Sequence, residues 1–179
     1  RGDQAARMAD ELAATRPTES AALGTAAYIH RRLGNTARTN ELLDQSLALA
    51  GAGPLQVEAL FTRANQRPIT ELAGRARELE AILAIDPDNV GGLYQRAWVQ
   101  QHQGDFTGAV TTLERYAELE ERDADSLNTL AIGLALAGRE AEAEVLFTEA
   151  RAQTDDPNGL NSLCWAKVLS DVALVRAEE

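Results

Sequence analysis

Apolar residues recur along this chain at helical spacing, and the recurrence breaks at a nearly constant interval. Leu93 and Ala97 precede Gly104, while Ala109, Leu113 and Tyr116 follow it, three or four positions apart as one face of a helix requires. The same division falls at Gly138. Leu127 and Ala131 stand before it and Ala143 and Phe147 after it, so the two stretches match at an offset of 34 residues. Gly34 divides a third such stretch, with Leu23 and Ala27 before it and Leu42 and Leu43 after it, and Pro68 stands where the next break is due. The breaks at Gly34, Pro68, Gly104 and Gly138 are spaced 34, 36 and 34 residues apart, which assigns the second unit a two-residue insertion in a loop.

Each interval predicts two helices joined at the break, where glycine suits the left-handed backbone of a helix C-terminus. The expected organisation is one array over 1–179. Residues 1–19 form the second helix of an interrupted unit, 20–53, 54–89, 90–123 and 124–157 are four complete units, and 158–179 is a further interrupted unit. Ala177 falls one period after Ala143, so both ends are expected to cut a longer array. About ten helices and no strand follow from this pattern.

Composition agrees with an all-α chain: 45% of residues are apolar, largely Ala and Leu, only 4% are aromatic, and there are five prolines. Net charge is -11 and no Lys/Arg-rich run occurs, which argues against a nucleic-acid partner. The longest nearly uncharged apolar run, 127–138, is shorter than the ~20 residues needed to span a bilayer, so no membrane insertion is expected. Charge is graded along the units. Residues 1–53 carry six basic and six acidic groups, and 124–157 carry two basic against seven acidic. A partner lying along such a gradient would be oriented by it.

Residues that could carry chemistry are few. His30 and His102 lie in different units, and neither an HxxxH nor a Cys/His spacing supports a metal site, so neither metal nor cofactor is expected. Cys164, beside Trp165 in an apolar stretch, reads as an inert small hydrophobe. Asp86–Asn89 lacks the glycine and distal glutamate of a calcium loop and reads as the end of one helix and the start of the next. The acidic run 118–125 reads as a solvated helix end, and the RGD at positions 1–3 carries no weight.

A 34-residue unit of two antiparallel helices, with small residues at close-approach points and Pro near its end, resembles the tetratricopeptide repeat. The carriers are Leu127, Leu130, Ala131, Leu134, Gly138, Ala143, Phe147 and Ala150, then Leu93, Ala97, Gly104, Ala109, Leu113 and Tyr116, with IDPDN at 85–89 as the unit ending. The match is strong over 85–157 and weak in the second unit, where Phe61 replaces the small residue. The resemblance implies a right-handed α-solenoid of antiparallel helix pairs whose first helices line a concave groove that holds extended peptides or partner helices.

Carried over position by position, the inward stripe is Gly24, Tyr28, Arg31 and Arg32, then Glu58, Thr62, Asn65 and Gln66, then Tyr94, Trp98, Gln101 and His102, then Asn128 and Ile132. The candidate partner-binding residues are Tyr28, Arg31, Arg32, Asn65, Tyr94, Trp98, Gln101, His102 and Asn128. Tyr94 and Trp98 also continue an apolar stripe with Val90, Leu93 and Ala97, so they are read either as groove or as core, and the register with Tyr28 and Ile132 favours the groove. Gly24, Tyr28, Glu58 and Thr62 stand near the places where the family's clamp for C-terminal carboxylates needs Lys and Asn, so a chaperone-tail receptor is not implied.

The expected function is a noncatalytic protein-interaction scaffold, a fragment of a bacterial protein in cytoplasm or periplasm. The rival expectations are a self-associating homo-oligomer and an accessory array of a larger envelope enzyme. The second of these rests on a resemblance of the C-terminal stretch, with Cys164 and Trp165, to terminal repeats that accompany transglutaminase-like domains.

Overall fold

The computed structural model describes residues 1–49, 51, 53–154, 159, 161 and 168. Cys164, Trp165 and Ala177, with nearly all of the expected final unit, lie outside the described residues. Among the described residues there are nine helices and no strand. They are α1 (Gly2–Thr15), α2 (Ser20–Arg32), α3 (Thr36–Leu49), α4 (Pro54–Gln66), α5 (Leu72–Ile85), α6 (Val90–His102), α7 (Phe106–Leu119), α8 (Ala124–Leu136) and α9 (Glu140–Ala152).

The helix starts reproduce the spacing of the breaks. α2, α4, α6 and α8 each have 13 residues and begin at positions 20, 54, 90 and 124. The glycine breaks share one geometry: Gly34, Gly104 and Gly138 have φ of 78°, 80° and 74°. At each, the glycine N–H and the next N–H turn back onto the preceding helix, as in Gly104 N to Gln101 O at 3.1 Å and Asp105 N to Gln100 O at 2.9 Å. The paired bonds satisfy carbonyls that a helix end otherwise leaves open, and they require a positive φ that glycine adopts without the strain a Cβ would bring. The break at Pro68 is different. Five residues, 67–71, join α4 to α5 where three join the other pairs, so the two-residue insertion lies in this turn.

Starts are set by side-chain caps in three helices. Asn89 accepts from Gly92 N at 2.9 Å, Asp105 from Gly108 N at 2.9 Å and Asp123 from Ser126 N at 2.8 Å. Asn89 thus gives Asp86–Asn89 the helix-starting part expected of it. The acidic run 118–125 likewise ends α7 and caps α8, through two left-handed residues, Glu121 and Arg122, at φ 53° and 55°.

The chain divides into two compact units, Arg1–Pro87 and Asp88–Glu179. In the first, each helix packs on the next in sequence, and α2 also touches α4. Its apolar cluster joins Ala9 and Ala13 of α1 to Leu23, Ala26 and Ala27 of α2, Leu42 and Leu43 of α3 and Ala59 of α4. In the second, α6 packs on α7, α7 on α8 and α8 on α9. There Ala97, Val110, Leu113, Ala117, Leu130, Ala131, Leu134, Ala135 and Ala143 form one cluster running through all four helices. Alanine at the crossings lets the helices approach closely, and Gly133 takes this furthest: a Cβ there would lie 2.5 Å from Leu113 Cδ1.

Candidate functional site

In the first unit the first helices of two successive pairs, α2 and α4, lie side by side, and the space between them is a cavity of about 270 Å³ floored by α3. Ala21, Gly24, Thr25 and Tyr28 of α2 face it at helical spacing, as do Leu55, Glu58, Ala59 and Thr62 of α4, with Ser20 at one end and Leu43 and Ser46 below. Tyr28 is 49% exposed and Leu55 equally so. The Arg31 guanidinium stands 5.5 Å from the Tyr28 ring centroid, in the range of a cation–π contact. Arg32 is exposed in the last turn of α2, where cations favour the helix dipole. Asn65 is exposed near the end of α4 but does not line the cavity.

A second, larger space in this unit, about 620 Å³, opens between α3, α4 and the long turn, bordered by Asn40, Asp44, Arg63, Gln66, Arg67 and Glu71. Its wall is a charge cluster. Glu78 is only 3% exposed and lies 2.7 Å from Arg67 Nε and 2.8 Å from Arg63 Nε. Arg67 also donates Nη1 to Glu71 at 3.0 Å, and these partners, Glu78 foremost, push its guanidinium pKa upward. Gly74 makes the arrangement fit, since a Cβ there would meet the Arg67 guanidinium at 2.7 Å.

In the second unit Tyr94 is 47% exposed, and its ring centroid lies 5.7 Å from that of Tyr116 on α7. Tyr116 is half-buried, and desolvation raises its phenol pKa. Trp98 is half-buried and stacks on the exposed His102 ring at 3.8 Å between centroids, while His102 Nδ1 lies 2.8 Å from Trp98 O. The amide of Gln101 reaches α8, 3.5 Å from where a Cβ on Gly133 would stand. Asn128 of α8 is half-buried, and its Oδ1 is enclosed without a hydrogen-bond partner among the described residues.

Solved structures show which architecture these helix pairs belong to. No protein-family model matches the chain, and no curated protein matches it in sequence. The fold, however, is similar to that of MamA from AMB-1, with a TM-score of 0.68 at 18% identity over 85% of this chain and 82% of that one. It is similar to YrrB, described as a TPR protein with an unusual peptide-binding site, at TM-score 0.68 and 12% identity over 90% and 82% of the two chains. TTC0263, a thermophilic TPR protein of Thermus thermophilus, aligns over 98% of this chain and 91% of its own at TM-score 0.56 and 20% identity. The chain has the tetratricopeptide-repeat fold.

Within this fold, an all-α solenoid of helix pairs, the nine candidate residues fall on α2, α4, α6 and α8, the first helices of their pairs. The structure brings Tyr28 and Arg31 together, and Trp98 and His102 together. Among the cavity-lining residues, Tyr28 is the sole member of the candidate set; Arg31, Arg32 and Asn65 stand apart from the cavity. Sequence reasoning passed over Leu55, Thr25 and Ser46. For Leu55 a signal existed: it stands at the same place in α4 as Ala21 in α2, one turn before Glu58, so the face runs a turn further toward the helix start. Ser46 lies on α3, a second helix, where groove residues are not sought. Among the described residues no group of three metal-ligating side chains occurs, and no described helix is long and apolar enough to cross a membrane.

Proposed function

We propose that this chain is a noncatalytic protein-interaction module that binds an extended segment of a partner protein along its first-helix faces. The observation that carries this reading is the cavity between α2 and α4, where the large side chains of Tyr28 and Leu55 stand half-exposed beside polar groups. Such a mixture of apolar floor and placed polar atoms suits a peptide, whose side chains alternate in character and whose backbone needs hydrogen bonds. That YrrB, a similar structure, is described as having a peptide-binding site adds support. The face is also electrically polarised. Glu58 marks one end, and Arg31 and Arg32 lie roughly two helical turns, about 11 Å, further along α2 from the level of Glu58. A bound segment would therefore have a preferred direction, with acidic groups toward Arg31 and Arg32. In the second unit Tyr94, Trp98, Gln101, His102 and Asn128 offer a further surface of aromatic and amide groups, and Asn65 extends the first.

The test uses peptides selected against the whole chain by phage display. Replacing Tyr28 and Leu55 together with Ala should weaken the selected peptide by more than about 1 kcal/mol, because aromatic and apolar anchors dominate interfaces of this kind. Helicity by circular dichroism should be unchanged, since both residues are half-exposed. Equal binding by the double variant and the wild type would place the functional face elsewhere.

A further inference from the structure

Resting on that reading, we propose that the cavity between α2 and α4 is a pocket for a single basic side chain, a lysine of the bound segment. Its lining carries one charged group, the Glu58 carboxylate, and no Lys, Arg or His. Glu58 is exposed, and its carboxylate has no ion-pair or hydrogen-bond partner among the described residues.

The serine and threonine hydroxyls around it have already committed their protons, while the Tyr28 hydroxyl can either donate or accept. Thr25 Oγ1 donates to Ala21 O at 2.9 Å, and Thr62 Oγ1 to Glu58 O at 3.0 Å. Ser46 Oγ lies 2.9 Å from Ser20 O, Ser20 Oγ lies 3.0 Å from Ser46 O, and the two hydroxyls are 3.0 Å from each other. What these oxygens can still offer a visitor is lone pairs. A space that presents one carboxylate and a ring of acceptors selects a group rich in donors and positively charged, and an ammonium with three N–H bonds is the side chain that answers both.

The rest of the lining suits the stem of such a side chain. Ala21, Leu43, Leu55 and Ala59 are apolar, and lysine lays its methylenes on surfaces of that kind while its head seeks water or a counter-charge. The volume, about 270 Å³, lies just below the ~300–1,000 Å³ of sites for drug-sized molecules, as a pocket for one side chain should. Tyr28 is not the recognising group, because the Arg31 guanidinium is already placed over its ring. Discrimination falls to Glu58.

The experiment is a titration of the full chain, labelled with nitrogen-15, at pH 7 with three capped pentapeptides Gly-Gly-Xaa-Gly-Gly, where Xaa is lysine, norleucine or glutamate. Amide shifts at Gly24, Tyr28, Leu55 and Thr62 report occupancy. The lysine peptide should bind about threefold to fivefold more tightly than the norleucine peptide, the size of one solvent-accessible charge pair, and the glutamate peptide most weakly. Glu58→Gln should erase the preference for lysine over norleucine while leaving norleucine binding unchanged. Equal binding of lysine and norleucine, or a preference that survives Glu58→Gln, overturns the lysine pocket and leaves peptide binding at this face standing. If none of the three peptides shifts those amides, both the pocket and the reading it rests on are overturned.

Discussion

The α4–α5 pair of the first unit and the α8–α9 pair of the second begin from the same pattern and reach stability by different chemistry. In α8–α9 the crossing residues are Ala131 and Ala143, both buried, and the turn between the helices is a three-residue glycine turn. In α4–α5 the same two places hold Phe61 and Arg75, and the turn has five residues. Glu78 stands where α3 has Leu42 and α9 has Leu146. An apolar close approach has been replaced by a polar clamp: Arg63 and Arg67 from α4 and the turn close on Glu78, and Arg75 Nε donates to Ala64 O at 2.9 Å. A repeat can therefore keep its architecture after losing the small residues that define it, provided another interaction spans the same pair of helices.

The comparison is sharpest where volume is added to the apolar crossing. Ala131→Leu should cost about 1–3 kcal/mol, because Ala131 is fully buried between packed helices and the extra methylenes have no space. A thermal melt reads this as a drop of several degrees, and hydrogen exchange should quicken across α6–α9. An unchanged melting temperature would mean that the alanine crossing is not what holds this unit together.

The polar clamp responds to different substitutions. Glu78→Ala should cost about 1–2 kcal/mol, since it leaves two guanidiniums without their shared partner; the cost is held below that of a fully buried charge because both arginines are partly exposed, at 31% and 27%. Glu78→Leu should cost clearly less, because it restores the residue type that Leu42 and Leu146 supply at the same place and returns the site to apolar packing. Denaturant unfolding of the two variants measures the difference. If both lose equally, the clamp acts through charge alone and the leucine register is irrelevant there.

The smallest expected effect concerns α1. Asp10 is held below the usual carboxylate range chiefly by its hydrogen bond from Arg38 at 2.8 Å, with His30 Nε2 also near at 3.3 Å. With the folded pKa lowered, the unfolded chain takes up the proton more readily. The contribution is complete above about pH 4 and is lost as pH falls through the folded value. Asp10 is 48% exposed, so the effect is modest, and Asp10→Asn should flatten the acid limb of the stability curve only slightly. A steepened limb in that variant would reverse the sign.

Much of this fold was legible in sequence because the repeat fixes helix starts through backbone chemistry, which leaves a signature. Gly34, Gly104 and Gly138 are needed for a left-handed turn, and the spacing between them transfers directly to helix positions. The site was less legible for a physical reason. The equivalent first-helix positions 24, 58, 94 and 128 are half-buried or exposed and share no residue type, so register locates them but cannot say which ones meet. Phe61 and Glu78 show the opposite failure, in which loss of the expected residue reads as a weak repeat when a long-range ion cluster has taken over its work.

The five-residue turn at 67–71 has a use as an attachment point. Arg67 and Glu71 hold its two ends through one ion pair of 3.0 Å, while Pro68, Ile69 and Thr70 between them are exposed and Ile69 is 62% open to solvent. The chain has accommodated two additional residues here with α5 still formed and paired with α4. A fluorophore on a cysteine at position 69 or 70, or a short epitope spliced between them, would report on the chain from a point outside the α2–α4 cavity, leaving Glu58 and Tyr28 unobstructed.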